Sequence, residues 1–273
     1  MLEVLDILSQ PFMLRALAAA VMASALSAVV GTFAVLRGMS TVGAAMAHTS
    51  LAGALLTFLA GADPLLGATV LSLALALAIG YGGVKGREAE RLLGVIFGLS
   101  SSLAALALSL TRRYAAAAYA FLLGDVLGVL PEDLIILGGY VALSLAMVAA
   151  FYKEFKFLVF DPEAAEAMGV RVSVYNYALV LLVALTTVVE LRIVGSILAV
   201  VLLVAPAAAA LQFSHSIESM IALSVLISIG SSVAGLLLSA LLNLPTSPTV
   251  GMIASALYLA SLIASPKRRC CRV

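Results

Sequence analysis

Charges in this chain fall at near-regular intervals, and the gaps between them have the length of a helix that crosses a bilayer. Between Arg15 and Arg37 lie 21 residues without Asp, Glu, Lys or Arg; the stretches from Arg37 to Asp63, Asp63 to Lys85 and Arg91 to Arg112 hold 25, 21 and 20. The second half repeats the pattern, with 19 residues between Asp133 and Lys153, 18 between Arg171 and Glu190, 25 between Arg192 and Glu218, and 48 between Glu218 and Lys267. A hydrocarbon core about 30 Å thick takes about 20 apolar residues per helix, and a charge at that depth is costly. Each gap therefore predicts one span. The last predicts two, broken at Asn243-Leu244-Pro245-Thr246-Ser247-Pro248, whose prolines cannot continue a helix. Composition agrees: 64% of residues are hydrophobic, 11% are charged and mean hydropathy is +1.20, against about a half and about a quarter in a soluble domain. The expected fold is all-α, a polytopic transmembrane helical bundle of eight to nine spans forming a single domain over residues 1–273.

Tyr114 to Leu130, with Asp125 between Gly124 and Gly128, is too short and interrupted for a span and reads as a half-helix or interfacial segment. Alternation of nine spans puts Arg37, Lys85, Arg87, Arg91, Lys153, Lys156, Arg171, Lys267, Arg268, Arg269 and Arg272 on one side, and only Arg15, Arg112, Arg113 and Arg192 on the other. The positive-inside rule makes the first side cytoplasmic, with the C-terminus inside and the N-terminus outside. Small residues, among them Gly94 and Gly98 and the run Ala115 to Ala118, suit close helix packing in lipid. Glu3 and Asp6 precede the first apolar run where a secretory signal would carry basic residues, so no cleaved signal is expected. The net charge of +1 argues against a nucleic-acid partner, and the two cysteines, Cys270 and Cys271, are adjacent and staple nothing.

The longest hydrophilic stretch between spans, Tyr152 to Arg171, contains Phe160-Asp161-Pro162-Glu163-Ala164-Ala165-Glu166-Ala167-Met168-Gly169. Asp161 can cap the first free amides of a helix, Pro162 suits its first position, Glu163 favours the positive end of its dipole, and Gly169 suits the residue just past its end. These signals predict a two-turn helix over about 161–169 on the cytoplasmic face, which is either a handle for a partner or a structured loop without one.

The segment Phe160-Asp161-Pro162-Glu163 with Ala165 and Gly169 resembles the coupling-helix motif of the metal-ion permeases of ABC transporters, the zinc and manganese uptake group. Co-linear stretches agree along nearly the whole chain: Val35-Leu36-Arg37 leading to Gly43 and His48, Leu123-Gly124-Asp125-Val126-Leu127-Gly128 followed by Pro131-Glu132-Asp133-Leu134, Val194-Gly195-Ser196-Ile197-Leu198 running to Ala205-Pro206-Ala207, and Leu244-Pro245-Thr246-Ser247-Pro248-Thr249. The resemblance implies a permease in the cell membrane that works as a homodimer. Two cytoplasmic ATPase subunits would dock on the coupling helices, where Glu163 and Glu166 offer shape and charge, and use the ATP. An extracytoplasmic metal-binding protein would deliver the ion. The cargo would be a divalent transition-metal ion, with no cofactor bound permanently.

His48 is the only histidine well inside a predicted span, about 15 Å along a helix from Arg37. Members of the resembled family place an Asp four residues before this His, so that both share a helix face and hold the passing metal ion; here that position is Ala44. His48 is thus either a transient metal contact with less charge compensation or a packing histidine hydrogen-bonded beside Thr49 or Ser50. Asp125 and Glu190, both expected at the membrane interface, are the other carboxylates able to supply charge. Pro206 frees a backbone carbonyl inside a span and marks a hinge or a fixed kink. His215 reads as a solvated loop residue, and the run Lys267-Arg268-Arg269-Cys270-Cys271-Arg272 as an anchor to anionic lipid, with a regulatory metal contact as the alternative.

Catalysis by this chain is not expected: it has neither a Gly-rich phosphate loop with its Lys nor a His-Glu-x-x-His zinc site. A secondary transporter driven by an ion gradient is disfavoured because no carboxylate is expected at mid-membrane. A permease for a larger metal chelate is a third reading, disfavoured because permeases of that kind are typically longer and the short pattern of the resembled family fits throughout, though it gains from the absent Asp, which an organic cargo would not need.

Overall fold

The structure, a computed structural model, describes residues 10–81, 87–110 and 115–267. Glu3, Asp6, Lys85, Arg112, Arg113 and the tail containing Arg268, Arg269, Cys270, Cys271 and Arg272 lie outside the described residues. Among those described there are twelve helices and no strand: α1 (Pro11–Leu36), α2 (Ser40–Leu59), α3 (Pro64–Tyr81), α4 (Arg87–Leu110), α5 (Ala115–Leu123), α6 (Pro131–Ala150), α7 (Tyr152–Phe160), α8 (Pro162–Ala167), α9 (Val172–Ile193), α10 (Gly195–Leu211), α11 (Ile217–Leu242) and α12 (Thr246–Ala264).

Each expected span has its helix, but not every helix has the expected length. Seven (α1, α2, α4, α6, α9, α11 and α12) are long and apolar enough to cross a membrane. The apolar stretches of the other two, Pro64–Ile79 and Gly195–Leu211, are shorter. Charges counted along the chain gave the same gap for a full span as for a short helix plus its turns. α10 is the clearer case: the 25-residue gap holding it also contains a one-residue junction at Val194 and the turn before Ser216, leaving 17 helical residues, about 25 Å. The chain leaves α11 at Asn243, left-handed with φ 52°, and re-enters a helix at Thr246.

Of the interrupted tract, residues 115–123 form a half-helix. α5 has nine residues, about 14 Å, and ends at Gly124 (φ +78°), whose backbone lies directly against Val194 and Gly195 (φ +80°) at the α9–α10 junction. A Cβ on either glycine would strike the other strand of backbone, so both positions need glycine for close approach as well as for their φ. Other intimate crossings use Gly31 and Gly43 against Leu203, Gly53 against Gly67, and Gly235 against Val250. The pair noted in the sequence, Gly94 and Gly98, does not do this: both face outward with open space where a Cβ would be.

α1, α2 and α10 form the interior, and α4, α6 and α12 present apolar side chains such as Leu106, Ile135, Leu143, Met252 and Ile263 outward, as lipid-facing helices must. One end of the bundle gathers α7, α8, the Arg37–Asn176 hydrogen bond (3.4 Å) and Lys267, whose Nζ donates to the carbonyls of Leu211 (2.7 Å) and Ser214 (2.6 Å). The opposite end carries the α5 turn and the Asp133–Arg192 ion pair (2.8 Å). The described members of the two loop sets separated by charge counting thus lie at opposite ends.

Candidate coupling site and translocation path

α8 forms where its local signals place it. Asp161 Oδ1 accepts from the Ala164 N–H at 2.9 Å, Pro162 opens the helix and Glu163 lies in its first turn. Past the last turn, the N–H of Gly169 (φ +85°) donates to Glu166 O at 2.9 Å and that of Val170 to Ala165 O at 3.0 Å, closing the C-terminus. The helix proper is Pro162–Ala167, six residues; the expected 161–169 includes both caps. Ala165 is buried against the bundle, while Phe160, Glu163, Glu166, Met168 and Gly169 are exposed. Exposed Phe160 and Met168 flank two carboxylates, a mixed apolar and acidic surface of the kind that a protein partner covers.

α7 fixes α8 to the bundle. Phe155 is fully buried, with its ring 5.6 Å from Phe33 of α1 and 6.5 Å from Tyr175 of α9. Glu218, at the start of α11, accepts from Tyr152 Oη at 2.7 Å and from Lys156 Nζ at 2.8 Å. Burial, the hydrogen bond to Glu218 and that carboxylate's charge push the Tyr152 phenol from 10.0 up to about 12.

From this same end a groove of ≈ 570 Å³ runs along α2, α10 and α12, from Leu211 and Gln212 up to Ala44 and Val200. Ser40, Thr41, Gln212, Ser255 and Tyr258 supply its few polar groups. Pro206 is buried in α10 between Ala205, which lines the groove, and Ala207, which does not. Behind the groove wall the helices close: Leu203 packs against Gly31 and Gly43 on the side of α10 away from the groove, and one turn further towards the groove head lie Ser27, Ala47 and Ala199, all fully buried. His48 follows Ala47. Its ring packs edge-on against Phe97 of α4, centroids 4.6 Å apart at 79°. The hydroxyls beside it are engaged elsewhere, Thr49 with Ser100 (2.8 Å) and Ser50 with Ser72. Of the other polar candidates, Asp125 is exposed and accepts from the Gly128 N–H at 3.0 Å, and His215 is an exposed turn residue.

Glu190 overturns its sequence reading. Instead of an interfacial residue it is a fully buried carboxylate inside the bundle, accepting a hydrogen bond from Ser27 Oγ. Adjacent in sequence to the charged Arg192, it looked like part of a loop. On a helix, however, residues two apart face nearly opposite ways: Arg192 reaches the ion pair at the end of α9, while Glu190 turns inward. A buried carboxylate therefore exists, and its expected absence no longer argues against ion coupling. Among the described residues no three His, Cys, Asp or Glu side chains come together as a ready metal site.

A multi-pass helical membrane protein with a capped surface helix at one end and a groove rising from that end to mid-bundle has the form of a transporter's membrane subunit. The ABC 3 transport family matches residues 9–265, and the chain belongs to it. It is 32% identical over 269 residues to the manganese transport system membrane protein MntC of Listeria monocytogenes, covering 98% of this chain and 96% of that one. It is 31% identical to the chelated iron transport system membrane protein YfeD of Yersinia pestis, covering 93% and 85%. Among solved structures, a chain of PsaBC from Streptococcus pneumoniae, determined with a Fab, superposes with a TM-score of 0.86 at 32% identity, covering 98% and 97%.

Proposed function

We propose that this chain is the membrane permease subunit of an ATP-driven importer for a divalent transition-metal ion, with manganese as the first ion to test and zinc as the second. The observation that carries the reading is full-length similarity to a manganese transport membrane protein, joined to a preformed, exposed α8 at the end where the groove opens. In this reading the α8 end is cytoplasmic, in keeping with its basic residues. Two copies of the chain face each other, and two ATPase subunits hold the surface of Phe160, Asp161, Pro162, Glu163, Ala165, Glu166 and Gly169. An extracytoplasmic binding protein delivers the ion at the opposite end. ATP-driven closure of the ATPase pair displaces α8, and the groove walls α2 and α10, with Pro206 as the hinge, open and close around the ion as it passes His48.

A chelated metal is the second reading. It is favoured by the groove itself, where Ala44, Val200, Val204 and Ala208 give apolar walls and no carboxylate.

Uptake of radioactive manganese and zinc into vesicles carrying the permease, its ATPase and its binding protein tests both readings. ATP-dependent uptake of the free ion that is lost in His48→Ala supports the first; uptake of iron chelate but of neither free ion supports the second. Uptake independent of ATP overturns both.

A further inference from the structure

Glu190 is the only Asp, Glu, Lys or Arg among the described residues that is fully buried, and it is not a closed structural pair. One carboxyl oxygen accepts from Ser27, and the other, Oε2, has no partner. Nearby hydroxyls do not compensate: Thr186, one turn back on the same face of α9, and Ser196, just past the junction, are buried without partners as well. The helices around Glu190 bring no opposite charge. α1 presents Ser27, α10 has no ionisable side chain and α3 has none from Pro64 to Ile79. α2 brings His48 on its neighbouring face, α5 brings Tyr119, α6 brings Tyr140, Glu132 and Asp133, and Asp133 is already held by Arg192. The ionisable groups of α7 and α8 lie at the far end of α9.

An ionised carboxylate with a single hydroxyl donor is poorly sustained in such surroundings. Its place in the fold gives it a use. The groove ends at Ala44 and Val200; one turn from the Gly31–Leu203–Gly43 contact, Ser27, Ala47 and Ala199 are level with each other and with that groove head, which sets Glu190 behind the α2–α10 wall at the level where an ion leaving the groove head meets His48.

We propose that Glu190 is the charge-compensating, proton-exchanging carboxyl of the path, an inference that rests on the metal-import reading above. In the closed arrangement described here it holds its proton. When a dication occupies the level of His48, the Glu190 O–H bond breaks, the proton passes to water in the opened path, and the carboxylate remains, held by the Ser27 hydroxyl. The local charge rises by one instead of two. As the ion departs, a proton from path water restores the acid. ATP supplies the driving force throughout.

The test uses the complete transporter in proteoliposomes. ATP-dependent manganese uptake is measured between about pH 5 and pH 8 for wild type and Glu190→Gln, each normalised to its own ATP hydrolysis. The ratio of wild type to Glu190→Gln should rise about tenfold from the acid to the neutral end, because the amide cannot ionise. In parallel, infrared difference spectra on adding manganese should show loss of a protonated-carboxyl carbonyl band in wild type. That band should shift in Ser27→Ala and vanish in Glu190→Gln. Parallel pH profiles together with a silent carbonyl region would reduce Glu190 to a structural hydrogen-bonding group. If Glu190→Gln does not fold, the wild-type and Ser27→Ala spectra decide alone, a band lost on adding manganese supporting the proposal and an unchanged one overturning it. Wild type without manganese uptake would remove the cargo reading, and the spectra would still report whether manganese meets this carboxyl.

Discussion

α8 and the buried level around Glu190 solve the placement of polar groups in opposite ways. In α8 the polar groups needed to start and stop the helix come from within ten residues: Asp161 caps one end and the Gly169 and Val170 amides close the other, while Glu163 and Glu166 stay in solvent. Around Glu190 the partners come from across the chain. Ser27 is 163 residues away, and the neighbouring Ser24–Ser232 hydrogen bond (2.6 Å) joins residues 208 apart. The first region finds its capping partners within its own sequence and takes only its seat, Ala165, from the bundle. The second exists only once α1, α9, α10 and α11 have docked, and it keeps unpaired atoms even then. A surface handle should therefore tolerate changes in the bundle core better than the path does, and changes in the handle should leave the path intact.

Four substitutions try that separation. The largest effect belongs to Gly31→Leu, which drives a side chain into the Leu203 backbone where α1 meets α10. Overpacking of this kind costs about 3 kcal/mol, and a thermal melt of the purified protein should show it while α8 still binds ATPase in whatever fraction remains folded. Next comes Glu163→Lys. Reversing an exposed charge at the head of α8 should leave the permease in the membrane and its melting curve unchanged, yet weaken ATPase co-purification at least about tenfold, roughly 1.4 kcal/mol; co-purification equal to wild type would break the assignment of the handle. Asp161→Ala should be smaller and local, removing a cap worth about 1 kcal/mol to its helix, read as faster amide exchange at Ala164 with no change at Ser27.

The smallest effect is a titration. With its folded value raised to about 12, the Tyr152 contact with Glu218 is fully present below pH 10 and is lost as the pH rises through about 12. The ultraviolet difference between wild type and Tyr152→Phe should place one phenol near 12, and Glu218→Gln should bring it back towards 10.

What could be read from the chain follows the same division. The nine apolar helices were legible because a charge is costly in lipid wherever the helix packs, and α8 was legible because caps act over three or four residues. Lengths were harder: α10 reads as a full span until the Val194 junction and the Gln212 to Ser216 turn are subtracted. Glu190 was misread because its depth depends on which way α9 faces, and nothing in Val188-Val189-Glu190-Leu191-Arg192 states that. The half-helix 115–123 was visible as an interrupted tract, but its seat against Gly195 was not, since that contact joins glycines 71 positions apart. His48 stands in the middle of α2, where the spacing from Arg37 puts it, and its neighbour Phe97 was beyond the reach of sequence.

The single residue between α9 and α10 has a mechanical consequence. Four residues separate α8 from α9, and one residue separates α9 from α10, which walls the groove with Val200, Val204 and Ala208. Linkers this short store no slack. In the proposed importer a push on α8 would travel like the stroke of a connecting rod, along α9 and over a one-residue knuckle seated on Gly124, making the width of the groove and the position of α8 one coordinate.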